Sequence, residues 1–189
     1  MKMSPGEVVA EAKKTGAEVI AFTYNEPTVW YEYMLDIAKL AKEEGLRTAN
    51  ISAGYINQEP LRQLLPYLDA MKIDLKGFND KTYQQLNQGR LQPVLDSIKT
   101  VHESNTWLEI VNLIVPGYTD DLDEIEQMCQ WIYDEIGPDV PLHFSRFSPA
   151  YKLPNLAPTS EETLVSARQI CLDVGLNYVY IGNLQTKDA

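Results

Sequence analysis

Short apolar runs alternate with longer segments of helical periodicity from residue 18 to residue 181, and this alternation constrains the fold more than any other feature. The runs are Glu18–Thr23, Arg47–Ser52, Ala70–Leu75, Trp107–Val115, Pro141–Phe147 and Asn177–Ile181. Between them, Trp30, Tyr33, Met34, Ile37, Ala38 and Ala41 fall at i, i+3, i+4, i+7 spacing before Gly45, which reads as a helix with a glycine stop. Ser4-Pro5-Gly6-Glu7 reads as a capped helix start, with Ser4 and Glu7 forming a capping box. Further helices are expected at Gln58–Pro66, over 79–88 and 91–104, at Asp120–Ile136, and from Thr159-Ser-Glu-Glu162 to Val174. Strands and helices that alternate with short connections form a parallel sheet flanked by helices. No linker or low-complexity stretch interrupts the 189 residues, so a single domain is expected.

Two architectures fit such an alternation. A dinucleotide-binding doubly wound sheet needs a glycine-rich turn after its first strand, and Thr23-Tyr-Asn-Glu-Pro27 contains no glycine. Polar residues instead follow nearly every strand: Asn25 and Glu26, Ser52, Asp74 and Lys76, Asn112, Arg146 and Ser148. Barrel enzymes build their sites that way, from the ends of many strands on one face. A complete eight-stranded barrel takes about 250 residues. The expected fold class is therefore α/β, an open partial (β/α) barrel of about six parallel strands.

Charge and cysteine content narrow the function. Sixteen basic residues against 27 acidic give a net charge of −11, which argues against a protein that tracks nucleic-acid phosphates. No apolar run is long enough to span a membrane, and none follows a basic start as a signal peptide would. The two cysteines, Cys129 and Cys171, sit far apart in helical segments. They read as neither a disulfide framework nor a metal motif, which fits a reducing cytoplasm.

Two stretches carry the sharpest chemistry. In Tyr24-Asn25-Glu26-Pro27, Pro27 suits a first helical position, and Glu26 at the mouth of the sheet offers a carboxylate to a ligand ammonium. In Lys72-Ile73-Asp74-Leu75-Lys76, strand alternation puts three charges on one face, where they must be paired, solvated or in contact with a ligand. Arg146, near a strand end, has a guanidinium suited to fork onto a carboxylate. Pro116-Gly117 marks a turn, with Thr119 or Asp120 as the following cap. His102 and His143 stand alone in the sequence and read as surface or satisfied core histidines. No His, Cys and carboxylate cluster has metal-ligand spacing, so no metal ligand is assigned.

Seven segments in order extend this reading: Phe22-Thr-Tyr-Asn-Glu-Pro27, Ile51-Ser-Ala-Gly-Tyr-Ile56, Ile73-Asp-Leu-Lys-Gly-Phe78, Leu113-Ile-Val-Pro-Gly117, His143-Phe-Ser-Arg-Phe147, Pro149-Ala-Tyr-Lys-Leu153 and Tyr178-Val-Tyr-Ile-Gly-Asn183. Together, from about residue 4 to residue 183, they resemble the AmmeMemoRadiSam-system radical SAM enzymes, relatives of pyruvate formate-lyase activating enzyme. The resemblance implies a partial barrel that binds S-adenosylmethionine beside a [4Fe–4S] cluster and cleaves it reductively to a 5′-deoxyadenosyl radical. It places Tyr24, Asn25, Glu26 and Pro27 where activating enzymes carry Gly-Gly-Glu-Pro, whose residues meet the methionine ammonium. It places Ser52 in the segment that approaches the ribose or the methionyl carboxylate. Asp74 and Lys76 match the family's Asp-Leu-Lys near the cofactor and the radical's target, and they are the expected catalytic residues together with Arg146.

The chain also departs from the family pattern. Activating enzymes hold the cluster on Cys-x3-Cys-x2-Cys upstream of the Glu-Pro motif, and no cysteine precedes Glu26 here. Three thiolates are needed for the cluster, so Cys129 and Cys171 leave this chain without cluster ligands. Ala53 stands where activating enzymes commonly have Asn, and Ser148 where some relatives have His. The expectation is a core lacking the N-terminal strand, the cluster loop and the C-terminal end, inactive alone, with a strand edge open to dimerisation. Its radical substrate is a protein or small molecule, with Ammecr- and Memo-family proteins as partners the resemblance suggests. The alternative is a non-catalytic module that keeps an S-adenosylmethionine pocket or a partner surface. A Schiff-base aldolase using Lys76 is the third reading.

Overall fold

The computed structural model describes residues 3–185. In chain order the elements are α1 (Pro5–Thr15), β1 (Val19–Phe22), α2 (Tyr31–Glu43), β2 (Arg47–Ser52), α3 (Gln58–Leu64), β3 (Ala70–Asp74), α4 (Asp80–Thr82), α5 (Gln92–His102), β4 (Trp107–Ile114), α6 (Leu122–Glu135), β5 (Leu142–Arg146), α7 (Glu161–Val174) and β6 (Val179–Gly182). Single 3₁₀ turns, Pro27–Trp30 and Leu65–Tyr67, precede α2 and follow α3, and a π-turn, Tyr83–Asn87, follows α4. The strands form one six-stranded sheet in sequence order. β1–β2, β2–β3, β4–β5 and β5–β6 all pair in parallel. This is the α/β class that the alternation implies.

The chain divides into two compact units, Met1–Ile73 with Pro93–Leu108, and Asp74–Gln92 with Glu109–Ala189. In the first, α1 begins with the expected capping box, in which Ser4 Oγ accepts from the Glu7 amide while the Glu7 carboxylate accepts from the Ser4 amide. It ends at Gly16, whose φ of +74° is the left-handed cap conformation that glycine adopts without strain. α1 packs on α2, which buries Met34, Ile37, Ala38 and Ala41. Trp30 falls in the 3₁₀ turn instead, edge-on to both Phe22 and Tyr33. β2 buries a polar set, Thr48, Asn50 and Ser52. The Thr48 hydroxyl donates to the Tyr67 carbonyl, and the backbone amide of Thr48 donates to Asp69.

In the second unit, alternate residues of the strands are buried: Ile110, Asn112 and Ile114 of β4, Leu142 and Phe144 of β5, Val179 and Ile181 of β6. The other set, Glu109, Val111, Leu113, His143, Ser145, Tyr180 and Gly182, is half-buried or exposed. The strands are thus covered on one face and open on the other, whereas unbroken apolar runs lead one to expect burial on both.

Several boundaries differ from the sequence reading, each for a local reason. The expected helix over 79–88 is one α-turn and a π-turn, ended by Gln88 in the left-handed conformation. Leu86 is its one aliphatic residue after Tyr83, too few for a helical stripe. α6 is capped by Asp121, which accepts from the Asp123 and Glu124 amides, and not by Thr119 or Asp120. Thr119 is buried, its hydroxyl donating to the Leu113 carbonyl and accepting from the Val115 amide. Thr159 is likewise drawn inward, onto the Ile114 carbonyl and the Phe147 amide, and Ser160 caps α7.

The largest correction concerns the cysteines. α6 and α7 pack side by side, and Cys129 and Cys171 face each other between them as a disulfide with Cα atoms 5.3 Å apart. Both are fully buried. Their separation of 42 residues in sequence hid a contact that helix packing creates.

Candidate functional site

Glu26 sits at the end of the turn after β1, and its carboxylate joins two loops of the first unit. Oε1 accepts from the Thr28 amide at 3.1 Å, the Thr28 hydroxyl at 2.9 Å and the Ser52 hydroxyl at 2.7 Å. Oε2 accepts from the Ala53 amide at 2.8 Å. Through Thr28, Glu26 caps the 3₁₀ turn that Pro27 opens. Burial pushes its pKa up more than any single contact lowers it, yet the bonds from Ala53, Ser52 and Thr28 together hold it below the usual value. The result is a fixed carboxylate whose Oε2 keeps one lone pair. Tyr24 is 86% exposed. Asn25 is exposed as well, and Pro27 is buried.

Ser52 is 3% exposed, and both roles of its hydroxyl are filled, donating to Glu26 and accepting from the Gly54 amide at 3.0 Å. In this arrangement it braces the Glu26 carboxylate. Ala53 contributes through its backbone N–H alone, so the alanine found in place of the family's asparagine keeps that bond. Gly54 has φ +68°, and a Cβ there would lie 2.8 Å from Ile73 Cγ2.

In the second unit, the segment after β3 is secured at nearly every residue. Asp74 and Lys76 are ion-paired at 3.1 Å and are both part-buried. The Leu75 amide donates to the Val111 carbonyl at 2.8 Å, and Asn112 Nδ2 donates to the Leu75 carbonyl at 2.7 Å. The Lys76 amide donates to the Tyr83 phenol oxygen at 3.0 Å. Glu124 accepts from the Phe78 amide at 2.8 Å and from the Asn79 side chain. Asn112, which sequence placed among the polar strand-end groups, is therefore a buried brace. Burial, with the Asp74 charge adding to it, pushes the Tyr83 phenol up to about 12 despite the opposing bond from Lys76. Sequence reading missed Tyr83 and Glu124, since no local pattern marks an acceptor 7 or 46 residues from its donor.

Lys72, Asp74 and Lys76 are part-buried while Ile73 and Leu75 are buried, the alternation that sequence predicts. Lys76 is ion-paired and reached by solvent, and among the described residues no apolar pocket surrounds its amine in the way a Schiff-base lysine's is surrounded. Arg146 Nε donates to the Thr159 carbonyl at 2.9 Å, which leaves its terminal amino groups without partners among the described residues. His143 is not solitary: its ring meets Glu109 and Tyr180.

A cleft of about 680 Å³ in the first unit lies beside Asp69 and Thr106, at the entry to β3 and β4. Barrel enzymes use the opposite, exit ends of their strands. No helix among the described residues is long and apolar enough to cross a membrane.

An α/β sheet with polar groups fixed at its strand exits defines the class, and comparison with known proteins supplies the family. Residues 1–132 match the Radical SAM superfamily, and the chain belongs to it. It is 44% identical over 183 residues to the uncharacterized protein MJ0808 of Methanocaldococcus jannaschii, covering 97% of this chain and 54% of that one. It is 25% identical over 156 residues to the pyruvate formate-lyase 1-activating enzyme of Escherichia coli K12, covering 76% of this chain and 63% of that enzyme. The chain thus spans about half to two thirds of the length of these relatives. A domain of pyruvate-formate lyase-activating enzyme from Bacteroides vulgatus shares the fold, with TM-score 0.74 and 21% identity over 87% of this chain and 98% of that one.

Radical SAM enzymes use S-adenosylmethionine and a [4Fe–4S] cluster. The residues here do not fit the cluster: the two cysteines are spent on each other, and no group of three or more His, Cys, Asp or Glu among the described residues could hold a metal. They do fit part of the other cofactor, since a fixed carboxylate with a spare lone pair suits an ammonium.

Proposed function

We propose that this chain is the S-adenosylmethionine-binding core of an activating-type radical SAM enzyme. The observation that carries the reading is the Glu26 carboxylate, held by four donors with one Oε2 lone pair left over. Glu26 takes the methionine ammonium at that lone pair, while Ser52 and Thr28 fix the carboxylate. When bound, the cofactor supplies the 5′-deoxyadenosyl group from which such enzymes draw their radical. The cluster that this conversion requires has no ligands among the residues described. In the second unit, the free amino groups of Arg146 suit a carboxylate, and the Asp74–Lys76 pair offers one charge of each sign to the radical's target. The seven ordered sequence segments support the narrower placement in the AmmeMemoRadiSam system, with Ammecr- and Memo-family proteins as candidate partners.

That no three cluster-ligating groups come together among the described residues favours a second reading, a module that binds the cofactor without catalysis by itself. Both readings share the Glu26 contact, and calorimetric titration with S-adenosylmethionine tests it. Association costs about 4 kcal/mol or more before contacts of about 1.5–3 kcal/mol each take effect. We therefore expect a dissociation constant on the order of a millimolar, weakened further by Glu26→Gln. Micromolar binding that Glu26→Gln leaves unchanged would remove Glu26 from the site.

A further inference from the structure

The open side of β4, β5 and β6, within the second unit, carries a side-chain cluster that the reading above does not use. Parallel register sets Val111, His143 and Tyr180 at one level, and Leu113, Ser145 and Gly182 at the next level toward the strand exits. His143 Nε2 lies 3.1 Å from Glu109 Oε2. The imidazole stacks on the Tyr180 ring, with centroids 5.2 Å apart and planes inclined by 28°. An ionised carboxylate only accepts hydrogen bonds, so Glu109 fixes the ring proton on Nε2 and leaves the lone pair on Nδ1.

Nδ1 has no hydrogen-bond partner among the described residues. Nor is it a buried orphan, since the buried side-chain polar atoms without partners there are Asn50 Oδ1 and Asn112 Oδ1. Toward the strand exits two of the three positions at the next level are small, Ser145 beside Gly182, and Leu113 is the third. The Glu109 and His143 side chains are 38% and 32% exposed, and a hydrogen bond this open adds little to stability. Folding does not account for a ring held at one edge by a carboxylate, on one face by a tyrosine, and left open at its second nitrogen.

We propose that Glu109, His143 and Tyr180 form a substrate subsite, in which Nδ1 of His143 accepts a hydrogen bond from a hydroxyl or amide N–H of the substrate. Glu109 sets the tautomer and Tyr180 the ring plane. The subsite rests on the enzyme reading for its substrate, but its test needs neither cofactor nor turnover.

The chain has only two histidines, which makes ¹⁵N-histidine labelling a direct test, with His102, exposed at the end of α5, as the internal reference. Once both rings are deprotonated, His143 should show the Nε2–H tautomer more strongly than His102 does. Glu109→Gln should abolish that preference in a protein whose circular dichroism is unchanged. Phenol, used as a hydrogen-bond-donor probe, should shift His143 Nδ1 and leave His102 in place, and Tyr180→Ala should weaken the shift. A mixed tautomer at His143 in the wild type, or a phenol response at His143 no larger than at His102, would overturn the proposal.

Discussion

Glu26, in the turn after β1, and Glu109, within β4, are both part-buried carboxylates, but they are embedded in opposite ways. Glu26 receives four hydrogen bonds from two loops of its own unit, two of them from backbone amides. Glu109 holds a side chain, His143, on the open side of a sheet. The first arrangement stabilises the chain and leaves a single lone pair for a ligand. The second contributes little to folding and leaves a whole ring edge for one. Stability and ligand binding are therefore mixed at Glu26 and separable at Glu109, and substitutions should show it.

The largest effect is expected beside the Glu26 clamp. Gly54→Ala places a side chain at φ +68° and drives its Cβ to 2.8 Å from buried Ile73. A left-handed L-residue costs about 1–2 kcal/mol and overpacking about 1–3 kcal/mol, so thermal unfolding should show a loss of about 3 kcal/mol. A wild-type melting curve would mean that the clamp loop is far looser than its hydrogen bonds indicate. Tyr83→Phe should come next, at about 1–3 kcal/mol, because it strips the acceptor from a part-buried Lys76 amide. Alkaline absorbance titration adds a check on Tyr83. With its pKa raised to about 12, Tyr83 stabilises the fold fully below the ordinary tyrosine value near 10 and loses that contribution as pH rises to about 12. Tyr83 should therefore ionise above the ordinary tyrosine range.

Glu26→Gln should cost less, about 1–2 kcal/mol, by exchanging charge-assisted bonds for neutral ones and turning an NH₂ toward other donors. Its pH dependence has a definite sign. The folded carboxylate has a lowered pKa, so its contribution is complete above the ordinary value of 4.5 and disappears as pH falls through the lowered one. Melting curves of wild type and Glu26→Gln should differ at neutral pH and converge in acid; a constant gap across that range would contradict the clamp. The smallest effect is predicted for Glu109→Gln, within about 0.5 kcal/mol of wild type. A loss matching that of Glu26→Gln would erase the distinction between the two carboxylates.

The same distinction governs what was legible in sequence. Glu26, Asp74 and Lys76 stand out because turn chemistry and strand alternation are local, and the capping box of α1 and most strand limits follow from short-range rules too. His143 looked solitary because its partners lie on neighbouring strands, Glu109 being 34 residues away. Tyr83, Glu124 and the Cys129–Cys171 pair escaped for the same reason, since packing rather than periodicity brings them together. The bonds of Ser52 to Glu26 and the Gly54 amide were not legible either, because sequence marks a polar residue at a strand exit without showing which way its hydroxyl is engaged.

The most direct test of the Glu26 assignment reads the amides that hold its carboxylate. In a ¹⁵N-labelled sample, S-adenosylmethionine should shift the Ala53 and Thr28 amide resonances, since both donate to the carboxylate that takes the ammonium. 5′-Methylthioadenosine, which lacks the ammonium, should leave them in place, and Glu26→Gln should suppress the response. Equal shifts with both compounds, or no movement at Ala53 with saturating S-adenosylmethionine, would contradict the account.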